Sequence, residues 1–167
     1  YNRWMNERMH AAAATLDAAT LTADKGDFFG SILGTLNHVA VADTIWMHRF
    51  ARHEASFASL RALSGFPQPS SLTQPIAPDF AGLHRYRHEL DGLIVRWVAE
   101  LTSEHLAANI AYGNMAGVKS SRSFSALLQH FFNHQTHHRG QASALLFQSG
   151  VDVGVTDLLA VIPRCDA

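Results

Sequence analysis

Four histidines fall within one short run, His130-Phe131-Phe132-Asn133-His134-Gln135-Thr136-His137-His138-Arg139-Gly140-Gln141. Neutral imidazole is the commonest protein ligand for a metal ion and changes charge near neutral pH. Three histidine pairs of the chain stand at i, i+4: His84/His88, His130/His134 and His134/His138. On an α-helix such a pair shares a face and can chelate one ion. Core filling alone does not account for so many imidazoles on about three helical turns. The run therefore reads as the main part of a metal site, with a further ligand arriving from another element.

The elements that must position these rings follow from apolar periodicity. A first helix is expected from Asn2 to Leu21, rich in alanine and spaced by Trp4, Met5, Met9, Ala12 and Leu16. Lys25-Gly26-Asp27 reads as a turn, with Asp27 as N-cap of a second helix that runs to His53. Its apolar stripe is Phe28, Ile32, Leu36, Val39, Ala42, Trp46 and Phe50. Residues 64–78 hold four of the five prolines and cannot be helical throughout, so they form a candidate rim or lid. A third helix starts near Asp79 and carries Phe80, Leu83, Arg87, Leu90, Ile94, Trp97 and Leu101. Residues 106–121 are irregular, with Ile110-Ala111-Tyr112 as a short extended piece. The fourth helix runs from Ser123 to Ser149, stopped by Gly150, and a short turn near 156–161 ends the chain. Four amphipathic helices without a convincing strand predict an all-α, four-helix bundle in one domain, residues 1–167.

Helical projection separates the histidines. At roughly 100° per residue, His138 lies about 40° and His134 about 80° from the apolar direction of the fourth helix, whereas His130 and His137 lie about 120–140° away. His84 and His88 fall on the solvated side of the third helix. On the second helix, His38 sits about 80° from the stripe centre. Three imidazoles on two helices leave a coordination position for water or substrate, the open arrangement of catalytic zinc. The donor set also suits nickel, iron or manganese. Asn133, Gln141 and His130 are candidates to hold the ligand rings in place. Asp43 and Arg139 fall inside the apolar sectors of their helices, and an unpaired buried charge is costly. The expectation is that they pair with each other, with a substrate carboxylate as the competing partner for Arg139. Trp46, Trp97, Phe131 and Phe132 read mainly as core, and Gly140 as a place where helices approach closely, within the chain or across a dimer contact.

The bulk composition narrows the classes. Hydrophobic residues make up 47% and charged residues 16%, which excludes a disordered chain. The net charge of −1 offers nothing to neutralise a phosphate backbone, so no nucleic-acid partner is expected. No apolar run approaches a membrane span and no signal-peptide pattern opens the chain. The opening residues already read as helix and lack Met, so residues are expected upstream. The lone Cys165 cannot form an internal disulfide, which fits a reducing cytoplasm.

Leu36-Asn37-His38-Val39 followed by Ala42-Asp43-Thr44-Ile45-Trp46 resembles the second-helix signature of the DinB family. These DinB/YfiT-like bacterial metalloproteins are unrelated to the DNA polymerase that shares the label. The run from His130 to Gln141 closely resembles the family's fourth-helix signature. Tyr1-Asn2-Arg3-Trp4-Met5-Asn6 and Gly150…Asp157-Leu158-Leu159 fit as well, so the resemblance spans nearly the whole chain. It implies a bundle in up-down-down-up order, a homodimer, and a divalent metal ion on three histidines. By motif position these are His38, His134 and His138, with zinc or nickel foremost. It further implies an S-transferase or isomerase using a low-molecular-weight thiol such as mycothiol, bacillithiol or glutathione, although no residue identifies the thiol. A metal-dependent hydrolase and a non-catalytic metal-binding dimer of a stress response are the alternatives.

Overall fold

The computed structural model describes residues 1–165. Six α-helices carry most of the chain: α1 (Asn2–Ala13), α2 (Ala18–Thr22), α3 (Ile32–Phe50), α4 (Phe80–Val98), α5 (Ser103–Ala107) and α6 (Phe124–Gln148). A small antiparallel sheet pairs β1 (Asn109–Gly113) with β2 (Lys119–Ser123). The four long helices touch in a closed ring, α1 against α4, α4 against α3, α3 against α6 and α6 against α1. None of the helices described is long and apolar enough to cross a membrane.

Local chemistry moves several expected boundaries. The first helix breaks after Ala13 because the Asp17 carboxylate accepts from the Thr20 amide at 2.7 Å and caps a new helix, α2. The second long helix starts five residues later than Asp27. Ser31 is its cap, accepting from the Gly34 amide at 3.0 Å, whereas the Asp27 carboxylate accepts from the Thr35 hydroxyl at 3.1 Å. The late start takes Phe28 off the apolar stripe and leaves it 84% exposed. The preceding turn folds back so tightly that a Cβ at Gly34 would collide with the Phe29 carbonyl oxygen. Asp79 and Ser123 cap α4 and α6, and Gly150 ends α6 in the left-handed region at φ +82°.

The extended piece at Ile110–Tyr112 has a partner that carries no sequence signal, so the all-α expectation gains a hairpin. Lys119-Ser120-Ser121-Arg122-Ser123 lacks an apolar alternation, and its register follows from the ladder alone, with Ile110 opposite Arg122. Residues 59–65 form a 3-10 turn, after which the proline-rich segment runs along α3. The carbonyl of Pro67 meets His48 Nε2 at 2.9 Å. The Asn37 amide donates to the Gln74 carbonyl and its oxygen accepts from the Ile76 amide, both at 2.9 Å. This strap lies over the helix that carries His38.

The core has two apolar bodies. One is aromatic, built on Trp46, Phe50, Trp97, Phe124 and Phe131. The other is aliphatic and thioether, with Met5, Met9, Ile32, Leu36, Leu83 and Leu146. A buried polar network ties the four long helices together. Arg87 donates to Asp43 at 2.6 Å and to Asp91 at 2.7 Å, and the Asn6 amide donates to both Asp91 oxygens at 3.0 and 3.1 Å. Arg139 donates to Gln135 at 3.1 Å, to Asn2 at 2.7 Å and, at 3.5 Å, to Asn6. The expected Asp43–Arg139 pair is therefore corrected. Arg87, already on the apolar stripe of its helix, reaches Asp43, and neutral amides satisfy Arg139. At Gly140 no helix of the same chain approaches closely, since a Cβ there would meet nothing within 4 Å.

Candidate metal centre

His38 enters the site from the buried side of α3, where only 3% of its surface is exposed. Its Nδ1 lies 3.0 Å from the Leu72 carbonyl oxygen of the strap. A carbonyl only accepts, so Nδ1 carries the proton and Nε2 keeps a free lone pair. One turn apart on α6, His134 and His138 face the same direction. His138 Nδ1 lies 2.6 Å from Gln141 Oε1, which again assigns the proton to Nδ1 and leaves Nε2 as a ligand atom. The Nε2 atoms of His134 and His138 stand 3.1 Å apart. Two nitrogens on one tetrahedral zinc ion, each about 2.0–2.1 Å from it, would stand about 3.3 Å apart. One ligand nitrogen from each of the three rings lies within 4.8 Å of the others. The triad fits a small cation.

The electrostatics favour the same form of each ring. Burial lowers the His134 pKa to about 3, with the neighbouring imidazoles adding to the effect. Burial also lowers His38 and His138, against hydrogen bonds to Leu72 and Gln141 that pull the other way. Neutral imidazole is the ligating form, so protons compete weakly for these nitrogens at neutral pH. Phe29 stacks on His38 at 3.8 Å between ring centroids and meets His138 edge-on at 5.4 Å. It forms an apolar wall beside the triad.

The flanking candidates separate. Gln141 holds His138 as described. Asn133 is exposed and makes no hydrogen bond to a triad ring among the described residues. The ring of His130 lies 5.8 Å from that of His134 and meets Trp46 edge-to-face at 5.2 Å, and among the described residues it makes no hydrogen bond to the triad. His137, His84 and His88 are exposed. Sequence reading missed Phe29, placed by a tight turn, and the Leu72 carbonyl, a backbone group with no residue signature. A cavity of about 420 Å³ lined by Tyr1, Trp4, Asp91 and Phe132 contains none of the three histidines.

The DinB family model matches residues 1–163. The chain belongs to the DinB family. No curated relative matches it. Among solved structures it is similar to a DinB-like protein from Bacillus cereus ATCC 10987, at 17% sequence identity with a TM-score of 0.63. The match covers 92% of this chain and 91% of that one. At that identity the likeness speaks for the fold. In this DinB-family chain, the motif positions His38, His134 and His138 are the three rings whose nitrogens converge.

Proposed function

We propose that this DinB-family protein binds one divalent metal ion on His38, His134 and His138 and uses it as a metal-dependent enzyme on a low-molecular-weight thiol, in an S-transferase or isomerase reaction. The convergence of three ring nitrogens within 4.8 Å carries this reading. Zinc or nickel suits the all-imidazole donor set best, with iron and manganese compatible. Three protein ligands leave a coordination position open, and an ion held there would supply Lewis acidity and lower the pKa of a thiol that binds it.

The protein's own groups fix the geometry. Leu72 and Gln141 set the tautomers of His38 and His138, and the Asn37 clamp keeps the strap against α3. Phe29 shields one side of the triad from water. The ring of four long helices supports reading the architecture as the family's four-helix bundle in up-down-down-up order. A homodimer belongs to the proposal as well, supported by the exposed apolar side chains Val155, Leu158, Leu159 and Ile162 near the end of the chain.

The test is a panel of small thiols and electrophiles assayed with metal-loaded protein. Conjugation or isomerisation faster than the uncatalysed rate, lost in His134→Ala, supports the assignment. A rate unaffected by His134→Ala removes it.

A further inference from the structure

Arg49 lies on α3 three turns beyond His38. Its guanidinium sits 4.5 Å from the Trp46 ring centroid and 5.2 Å from that of Tyr112. Trp46 meets Tyr112 at 5.2 Å and His130 at 5.2 Å, and His130 is the neighbour of His134 at 5.8 Å. A row of rings thus leads from the triad to the guanidinium. Among the described residues Arg49 makes no ion pair, and the three pairs present involve only Arg3 and Arg87 as cations. It also donates no hydrogen bond there, so the planar fork is held by the aromatic faces with its donors unspent.

Beside it opens a recess of about 180 Å³, lined by Arg49, Arg52 and His48 together with Gln68 of the strap and the hairpin residues Gly113 and Met115. No acidic side chain lines it. Two arginines without a carboxylate are the arrangement that recognises an oxyanion, since a guanidinium fork matches carboxylate or phosphate oxygens in pairs. The eleven residues from His38 to Arg49 span about 16 Å of helix, and the arginine stem leans back toward the helix N-terminus. The His38 ring leans the same way, so the fork stays roughly 15 Å from the triad, and an oxyanion held by it lies one hydrogen bond nearer, roughly 10–12 Å away.

We infer that Arg49, with Arg52, forms an oxyanion subsite of the metal centre, so that the molecule acted on carries a carboxylate or phosphate roughly 10–12 Å from the atom that meets the metal. This rests on the proposed metal–thiol reading for the second half of the statement, while the anion site itself does not require it. A small thiol bearing a carboxylate satisfies both ends. A thiol of the same length without charge satisfies one.

Cobalt-loaded wild type and Arg49→Gln are titrated with glutathione and with its diethyl ester, following the sulfur-to-cobalt charge-transfer absorption. Glutathione binding should weaken about tenfold in Arg49→Gln, while the ester binds both proteins alike and cobalt content is unchanged. Equal glutathione affinity in the two proteins overturns the subsite. If neither ligand produces the band, the thiol reading fails by itself. Metal-free protein titrated with inorganic phosphate then decides, through the Arg49 Nε resonance. A saturable shift in the wild type, with phosphate binding lost in Arg49→Gln, upholds an oxyanion site, and no saturable shift overturns it.

Discussion

Replacing Arg87 by methionine should strongly destabilise this protein. Arg87 is 3% exposed and bridges Asp43 and Asp91, themselves 1% and 3% exposed. Methionine fills similar volume but leaves the Asp43 carboxylate without a partner and Asp91 with the Asn6 amide alone. Breaking a buried ion pair from one side costs about 3–5 kcal/mol, a large share of the roughly 5–15 kcal/mol that holds a domain together. With a urea slope of about 2 kcal/mol per molar, the unfolding midpoint should fall by about 1.5–2.5 M. The loss should also carry a pH signature. Burial pushes the Asp43 carboxyl up from its ordinary value of 3.8 to about 7, and Arg87 pulls against that rise. Without Arg87 the folded carboxyl moves higher still and takes up a proton that the unfolded chain does not bind until lower pH. Stability gained by that protonation appears as pH falls. The gap between wild type and Arg87→Met should therefore narrow as pH falls toward about 7, where the wild-type carboxyl begins to take up a proton as well, and change little below that. Adding Asp43→Leu should recover part of the midpoint by removing one uncompensated charge. Equal midpoints, or a gap that ignores pH, would refute the argument that this network is held by ionised partners.

Two further outcomes follow from individual contacts. Gln141→Leu removes the acceptor that orients His138 and should weaken metal binding about 10- to 100-fold, read by competition with a chromogenic chelator, with little change in helix content. His10 is buried, stacked on Phe80 and beside His84, and burial with the nearby Arg87 charge lowers its pKa from 6.5 to about 3. The folded ring stays neutral while the unfolded one ionises, so its contribution is present at pH 7 and is lost as pH falls below 6.5. The loss reaches about 2 kcal/mol at pH 5. Urea midpoints of the metal-free protein at pH 7 and pH 5 should accordingly differ more for wild type than for His10→Leu.

The triad was legible in the sequence because helical geometry and family motif both act through fixed spacing. His134 and His138 share a face by their four-residue separation, and His38 lies at the edge of the α3 stripe. What was not legible depended on how elements meet. Asp43 and Arg139 were both recognised as inward charges, but a one-dimensional reading cannot tell which of two buried arginines is nearer. Arg87 stood on the α4 stripe as plainly as any leucine there. Its appearance among apolar residues was the available signal for the network. The strap's role depends on the Leu72 carbonyl, and backbone groups leave no trace in residue type. The break after Ala13 and the late start of α3 were decided by side-chain caps at Asp17 and Ser31, two among many polar residues able to cap. The second strand was silent because Lys119–Ser123 has no buried face to impose a pattern.

The account stands on three nitrogens from α3 and α6 holding one ion. Protein purified without chelator or affinity nickel, and reconstituted from a mixture of zinc, nickel, iron and manganese, should be measured by elemental analysis beside His38→Ala. A stoichiometric ion in the wild type, largely absent from the folded variant, is the predicted result. A wild type that retains no ion, or a His38→Ala protein that retains as much, contradicts it.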